Sequence, residues 1–375
     1  MESRDDMMTD TEPSFESVPV VAEPPSRLSK PIKVLVIVGM LTVFTLVGAS
    51  LYQVPYFSQS PGAATALETS IEVEGADFFP SEGEVLFTTV RVAGELSLLE
   101  WIGAHLDGAV EVRHRDDVLG TQTRSEQIAA NLALMSESQE LAKRVALGYL
   151  GYEVVVENGA LVQFVVEDSG AFGFIEPGDV VVEAGGVQIL TARDLVDQID
   201  GRTPGDSLDL SIRRLDETGE FQDLDVTVVL GTDEEGEVLL GVALATSFEL
   251  TELPVDIEID TARVGGPSAG LALSLSILDV LTDGELTGGI EVATTGTIDV
   301  LGNVGPIGGV EQKAHAVRRA GIDLFLVPEA DFEAAVSAAG DDLEVVAVAT
   351  FAEAVEVLAE RGGNGLELAG SVVAG

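Results

Sequence analysis

The apolar positions follow three different patterns along the chain. Residues 34–51, VLVIVGMLTVFTLVGASL, are uncharged throughout and about as long as a bilayer-spanning helix requires. Between 149 and 231, short valine-rich runs alternate with glycines, which predicts a β-rich domain. From 232 to 361, apolar strand segments alternate with helical segments, which predicts a layered domain of the α/β or α+β class. A strand at 84–92 and a long helix at 124–148 are predicted before the β-rich part.

The uncharged run predicts a membrane anchor with a defined orientation. Arg27, Lys30 and Lys33 lie directly before it. No Lys or Arg follows it until Arg91. Because positive residues flank the cytoplasmic end of a spanning helix, we expect residues 1–33 to form a disordered cytoplasmic tail and residues 34–54 to cross the cell membrane once. The rest of the chain is then extracytoplasmic.

A cleaved signal peptide is the alternative interpretation of the same run. Gly48 and Ser50 are small enough for a cleavage site. An uncharged run of this length exceeds the usual signal-peptide core, so the retained anchor is favoured. Both interpretations place the bulk of the chain outside the cytoplasm.

The β-rich part, 149–231, resembles a PDZ domain in the order of its pieces. Residues 149–152, Tyr149, Leu150, Gly151 and Tyr152, match the x-apolar-Gly-apolar loop whose backbone N–H groups hold a peptide C-terminal carboxylate in that family. PGDVVVEAGGVQI matches the strand and hairpin that follow. The resemblance implies that a peptide pairs with the strand after the loop. A small β-rich packing module without a ligand is the alternative.

The charge of the chain excludes one class of partner. Asp and Glu number 65 against 19 Lys and Arg, and the formal net charge is −46. Such a chain repels phosphate backbones and has no basic stripe, so nucleic-acid binding is not expected. The acidity favours solubility, and adaptation to high salt is a second hypothesis.

Several catalytic classes lack the residues they need. There is no cysteine, so disulfides, thiolate metal sites and cysteine nucleophiles are excluded. No HExxH spacing occurs, so a zinc peptidase of that type has no ligands. No metal site and no cofactor are expected. His105 and His114 lie in a charged segment, and only His315 leaves a Ser-His-Asp triad possible.

Ser268 lies in a turn of small residues, GGPSAG, that opens an apolar helix. A hydroxyl there is close to unpaired backbone N–H groups and to the positive end of the helix. An oxyanion can be stabilised at such a place. An ordinary N-cap serine is the alternative, because serine is a preferred capping residue.

Lys313 is unusual because the chain holds only four lysines. Its neighbours, PIGGV before and AHAV after, are mostly small or apolar. Burial lowers the pKa of a lysine and allows it to act as a base, whereas arginine stays charged. A solvated surface lysine is the alternative, but arginine would serve equally well as a surface cation.

Three motifs resemble, in order and spacing, the proteolytic domain of Lon-type serine peptidases. They are GPSAG at 266–270, TTGTID at 294–299 and GPIGGVEQKAHAVRRAGI at 305–322. The resemblance implies that Ser268 is the nucleophile, that Lys313 is its base, and that Thr295 supports the lysine. It also implies an oxyanion site formed by backbone N–H groups between Gly266 and Ala269.

The resemblance extends over most of the chain after residue 32. Residues 62–148 look like the first part of the proteolytic domain and 232–361 like its catalytic part, with a loose tail at 362–375. The expected fold is therefore α+β, a Lon-type proteolytic domain with an inserted PDZ domain after one transmembrane helix. Membrane-anchored PDZ-containing Lon-like proteases of Gram-positive, actinobacterial type have this arrangement.

This resemblance implies an ATP-independent endopeptidase that cleaves extracytoplasmic peptides or proteins, with the PDZ domain recruiting or gating substrate. No lysine follows a glycine, so a Walker A motif and its ATPase are absent from the sequence. A homo-hexamer is implied by resemblance only. The alternatives are a non-catalytic membrane-tethered PDZ protein that binds peptides, and a regulatory subunit that is active only with a partner.

Overall fold

The computed structural model describes residues 29–216, 218–233, 236–262 and 264–371. Most of the predicted cytoplasmic tail, 1–28, lies outside these residues, as does the end of the predicted C-terminal tail, 372–375. The described part forms an N-terminal helix, a layered α+β domain built from two segments of the chain, and a β-rich domain inserted between those segments. The expected fold class is confirmed.

The N-terminal helix, α1, runs from Lys30 to Leu51 and has no buried residue. Within the described part of the chain it is the one helix that passes the length and hydropathy test for a membrane span, which a signal sequence near the N-terminus also passes. It begins four residues before the predicted span and ends earlier, because the Val54 N–H already donates to the Leu96 carbonyl of the folded domain.

The first segment of the layered domain precedes the insertion. Its elements are β1 (Tyr56–Ala66), β2 (Ile71–Glu74), β3 (Glu84–Ala93), α2 (Leu98–Leu106), β4 (Glu111–His114), α3 (Arg115–Leu119) and α4 (Arg124–Tyr149). Thr123 caps α4 with its side chain, and Glu126 completes the capping box, so the 26-residue helix has a defined start.

The inserted domain holds β5 (Val155–Val165), β6 (Val180–Ala184), β7 (Val187–Gln188), α5 (Ala192–Ile199), β8 (Ser207–Leu215), β9 (Phe221–Val229), β10 (Gly231–Thr232), β11 (Val238–Leu239) and β12 (Val242–Leu250). Its main sheet has the order β12-β5-β6-β8-β9 around a core of its own. The predicted boundary at 231 is wrong, because β12 pairs with β5 along its whole length.

The second segment returns to the layered domain. Its elements are β13 (Asp256–Ile259), α6 (Gly270–Val280), β14 (Glu291–Thr294), β15 (Thr297–Ile298), β16 (Val304–Gly305), α7 (Val310–Ala320), β17 (Leu324–Pro328), α8 (Phe332–Ala339), β18 (Glu344–Val348), α9 (Phe351–Ala359) and α10 (Gly365–Leu368).

Strands of both segments share one six-stranded sheet, in the order β18-β17-β14-β3-β1-β4. β3 pairs in parallel with β14, so the two halves of the domain meet at the centre of this sheet. One apolar core, with α4, α6 and α9, covers one face, and a second core, with α7 and α8, covers the other. Burial on both faces explains the continuous apolar run of β17, LFLVP.

Candidate active site

The nucleophile candidate lies in a 3₁₀ turn, Pro267–Ala269, that leads directly into α6. Every residue of α6 is buried, so the turn is held rigidly by the core. The cap position of α6 is Ala269 and no side chain caps this helix. Ser268 therefore does not act as an ordinary N-cap, which removes the alternative interpretation of this serine.

Lys313 reaches Ser268 from the opposite face of the sheet region, on the first turns of α7. Its side chain is 2% exposed, and its Nζ lies 2.7 Å from the Ser268 Oγ. The same Nζ lies 2.9 Å from the Oγ1 of Thr295, a fully buried residue just after β14. The predicted surface-lysine alternative is excluded by this burial.

Thr295 connects the lysine to the serine turn. Its Oγ1 donates to the Ser268 backbone carbonyl at 3.1 Å and accepts from the Lys313 Nζ. A hydroxyl has a single proton to donate. Because that proton is used on the Ser268 carbonyl, the oxygen of Thr295 faces the amine as an acceptor. The structure thus brings together the three residues singled out in the sequence.

Burial sets the charge state of Lys313. Desolvation lowers the pKa of Lys313 from 10.5 to about 7, against an opposing effect of the Asp331 carboxylate, which raises it. The Asp331 Oδ2 also accepts the Ile307 backbone N–H at 2.9 Å. Near neutral pH a large share of the molecules then carries a neutral amine, and a neutral amine can take a hydroxyl proton.

The histidine triad is not formed. Among the described hydrogen bonds of Ser268 Oγ, the partner is Lys313, and the ring of His315 is not one of its partners. His105 packs against Trp101 and His114 against Tyr56, at the start of the layered domain.

A cleft of about 380 Å³ opens over Ser268 and Lys313. Apolar side chains on its wall include Phe87, Met135 and Val264, and the backbone at Ala269 also lines it. The predicted oxyanion role of Gly266 is wrong, because the Gly266 N–H already donates to the Asn131 carbonyl at 2.7 Å. The role of Ala269 stays a prediction.

The predicted carboxylate loop of the inserted domain is also wrong. Tyr149 is the last residue of α4, and its hydroxyl donates to the Gly365 carbonyl. Leu150 is buried in the core of the layered domain, Tyr152 packs against that core, and Gly151 lies between them. The strand that follows, β5, is paired along its length with β12, so this loop does not precede a free sheet edge.

A second concave site of about 730 Å³ lies instead between α5 and β12. Leu240, Gly241 and Val242 line it from the start of β12, and Val196 and Ile199 line it from α5. β12 is an edge strand of its sheet. The sequence Leu239-Leu240-Gly241-Val242 has the same x-apolar-Gly-apolar pattern as 149–152, and this repeat was the signal that sequence reasoning missed.

The far end of α6 carries another buried titratable group. Asp279 is 1% exposed, and burial, followed by the charge of Glu68, raises its pKa from 3.8 to about 7. Neither the Asp279 Oδ2 nor the Glu68 Oε1 meets a donor among the described residues. A proton held between the two carboxyl groups would satisfy both oxygens. Within the described residues, no group of three or more His, Asp or Glu could hold a metal ion.

Two family profiles match the chain. Residues 246–361 match the Lon protease (S16) C-terminal proteolytic domain, and residues 148–228 match the PDZ domain. The hydrogen-bonded triplet of Ser268, Thr295 and Lys313 lies within the first match. The resemblance stated from the motifs is thereby confirmed at the level of the domains.

Individual relatives agree with this assignment. The chain is 37% identical over 95 residues to a Lon protease of Campylobacter jejuni, covering 24% of this chain and 12% of that protein. It is 27% identical over 233 residues to an archaeal Lon protease of Methanocaldococcus jannaschii, covering 60% of this chain and 33% of that protein. The matched part is thus a third or less of these relatives' length.

Among solved structures, the PDZ domain of the SdrC-like protein (Lmo2051) from Listeria monocytogenes matches 23% of this chain and 87% of that chain, at 22% identity and a TM-score of 0.21. The domain assignments rest on the family matches and on the geometry described above. Residues 246–361 therefore form a Lon protease (S16) C-terminal proteolytic domain, and residues 148–228 form a PDZ domain.

Proposed function

We propose that this protein is a membrane-anchored, ATP-independent serine endopeptidase that cleaves extracytoplasmic peptides or exposed protein segments. The observation that supports it most strongly is the 2.7 Å contact between the Lys313 Nζ and the Ser268 Oγ in a buried site. A nucleophile, a base with a pKa of about 7 and an apolar cleft are present in one place.

In the proposed reaction, the neutral amine of Lys313 accepts the Ser268 proton while the Oγ attacks the scissile carbonyl carbon. The carbonyl oxygen becomes an oxyanion near the Ala269 N–H, one of the donors that a helix start leaves unpaired. The lysine ammonium then protonates the leaving amine as the C–N bond breaks. Water, deprotonated by the same amine, then attacks the acyl-enzyme carbonyl. As the ester C–O bond breaks, the resulting ammonium returns this proton to the Ser268 Oγ, which releases the acid product and regenerates the neutral amine.

Thr295 has a positioning role in this scheme. Its hydrogen bond from the amine fixes one N–H of Lys313, so the lone pair of the neutral amine can face the Ser268 hydroxyl. Its bond to the Ser268 carbonyl keeps the nucleophile turn at a fixed distance from the lysine.

An acylating active-site probe tests the dyad. The full chain is treated with a fluorophosphonate, and the mass of the Ser268 peptide is measured beside cleavage of a peptide library. Ser268→Ala should abolish labelling and cleavage, and Lys313→Arg should do the same while keeping the positive charge. Equal labelling of Ser268→Ala, or near-normal cleavage by Lys313→Arg, would refute the proposal and favour a non-catalytic binding protein.

The PDZ domain is proposed to bind peptide C-termini in the α5–β12 site rather than at 149–152. A peptide added to the β12 edge would point its carboxylate towards the backbone of Leu240 and Gly241, where Gly241 has a φ of +81°. Bound substrate would thereby be recruited to the protease.

Fluorescence polarisation with an apolar-terminated peptide tests this site. Val196→Asp, on the site wall, should abolish binding, whereas Val187→Asp, at an exposed position of the same domain outside the site, should not. Amidation of the peptide C-terminus should weaken binding to the wild type. Unchanged binding to Val196→Asp or to the amidated peptide would contradict this proposal.

Anchoring by α1 places the catalytic domain outside the cytoplasm in this proposal. Alkaline carbonate extraction should leave the protein in the membrane fraction, and external protease should digest everything after residue 55 in intact spheroplasts. Release by carbonate would contradict the anchor.

Cleavage rates that depend on added ATP would contradict ATP independence, and light scattering in detergent would test the proposed homo-hexamer.

A further inference from the structure

α2 has an apolar stripe that the folded domain leaves uncovered. Its nine residues, LLEWIGAHL, include none that is buried. Leu98, Ile102 and Leu106 follow one another at four-residue spacing and therefore lie on one face of the helix. Ile102 is 43% exposed and Leu106 82% exposed. A short helix of this composition in water would normally bury such a face.

The position of α2 is fixed at the point where α1 ends. The Leu98 N–H donates to the Tyr52 carbonyl at 2.9 Å, directly after the last residue of α1, and the Val54 N–H donates to the Leu96 carbonyl at 2.8 Å. α1 and α2 are in contact. A membrane in which α1 is inserted therefore has its surface at the level of α2.

Aromatic residues surround the same point. The rings of Tyr56 and Trp101 lie 5.9 Å apart, and those of Trp101 and His105 lie 4.3 Å apart. Tyr52, at the end of α1, is 65% exposed. Tyrosine favours the boundary between headgroups and acyl chains, because it has an apolar body and a polar tip. The Trp101 Nε1 is buried and meets no acceptor among the described residues, so the polar tip available to headgroups here is that of Tyr52.

We propose that α2 lies in the headgroup region of the leaflet at which α1 ends, with Leu98, Ile102 and Leu106 in contact with lipid. The partner of this surface is the bilayer itself, because the surface is continuous with the exposed anchor helix. This inference rests on the proposed membrane anchoring. It adds a second attachment that restricts how the catalytic domain tilts over the membrane.

The charges beside α2 indicate which lipids are needed. Residues 95–117 contain six acidic residues, namely Glu95, Glu100, Asp107, Glu111, Asp116 and Asp117, against the two arginines Arg113 and Arg115. Anionic headgroups would not be attracted to this segment. Insertion of α2 therefore depends on apolar contact, and zwitterionic phosphatidylcholine is sufficient.

Trp101 is the single tryptophan of the chain, so its fluorescence reports on α2 alone. The full chain is reconstituted into phosphatidylcholine vesicles that carry a doxyl quencher at a shallow or a deep acyl position. We expect Trp101 to lose more emission to the shallow quencher than to the deep one. The double variant Ile102→Ser with Leu106→Ser should lose this quenching by lipid. The control variant is Val336→Ser, because Val336 on α8 is apolar and as exposed as Ile102, and this variant should keep the quenching.

Vesicle flotation separates failure of the anchor from failure of this inference. If the protein floats with the vesicles but Trp101 is not quenched by the doxyl lipids, whether or not aqueous iodide quenches it, α2 does not lie in the headgroup region. The inference is then overturned while the anchor stands. Protection from both quenchers that grows with protein concentration would show that a second copy covers α2, which also overturns it. If the protein does not float, the anchor and the placement of α2 fall together.

Discussion

The titration of Lys313 should determine how proteolysis depends on pH. With a pKa of about 7, the neutral amine that accepts the Ser268 proton forms as pH rises through neutrality. We expect kcat/KM to rise about tenfold between pH 6 and pH 8 and to be nearly flat above. At its ordinary pKa of 10.5, only about one amine in 3,000 would be neutral at pH 7. Burial therefore supplies roughly a thousandfold more active base.

Asp331 allows this titration to be moved without touching the reacting atoms. Its carboxylate raises the pKa of Lys313 against the effect of burial. Asp331→Asn removes the charge but keeps an oxygen that can accept the Ile307 N–H. The acid limb of the profile should then shift to lower pH while the plateau stays the same, because the neutral amine is unchanged.

Cleavage of a fluorogenic peptide from pH 5.5 to 9 measures both effects. Ionic strength must be constant, because a chain of net charge −46 responds strongly to screening. Asp342→Asn, at an exposed carboxylate that pairs with Arg318, removes the same unit of charge and serves as the control. A wild-type profile that is flat from pH 6 to 8, or an Asp331→Asn limb that moves upwards, would refute the reasoning.

Three further predictions follow from the buried polar groups. In steady-state kinetics, Thr295→Val should lower kcat about 10- to 100-fold with little change in KM, because Lys313 loses an orienting acceptor. Thr295→Ser keeps the hydroxyl and should retain most of the activity. Equal loss of activity in both variants would exclude this positioning role. Lys313→Met should be inactive but harder to unfold with urea at pH 6. Burying the charged amine there costs at most about 5 kcal/mol. This cost falls as pH rises from about 7 to 10.5 and vanishes above that, where the amine is neutral in both states. A gain as large at pH 10.5 as at pH 6 would contradict this prediction. Asp279→Asn should raise the midpoint of thermal unfolding at pH 8 but not at pH 4. The raised pKa of Asp279 stabilises the fold below about pH 4, and this stability is lost as pH rises to about 7. A midpoint lowered equally at both pH values would show that the carboxylate is needed.

The candidate catalytic residues could be selected from the sequence because their chemistry is unusual in their surroundings. Lys313 is one of four lysines and lies among small and apolar residues, and Ser268 lies in a turn without bulky side chains. Both properties are local, and the structure brings the two side chains together with Thr295. The alternation of strands and helices likewise predicted the layered domain.

The sequence could not locate the proposed peptide site, because strand pairing is a long-range property. The x-apolar-Gly-apolar pattern occurs at 149–152 and again at 239–242, and each leads into a strand. Only the pairing of β5 with β12, which are about 80 residues apart, shows that the second strand forms the sheet edge. The Gly266 N–H was misassigned for a similar reason, since its acceptor is contributed by α4.

α4 connects the two domains physically as well as in sequence. Near its start, the Asn131 carbonyl holds the Gly266 N–H, and the Ser138 hydroxyl donates to the Pro267 carbonyl, so this helix fixes the backbone on the N-terminal side of Ser268. Near its end, the buried Arg144 donates from one Nη1 to the carbonyls of Val154 and Thr251, where the chain enters and leaves the PDZ domain. A movement of the PDZ domain would pull on the end of a helix whose other contacts define the nucleophile turn. A rigid helix that contacts both places therefore gives the proposed gating of proteolysis a physical route.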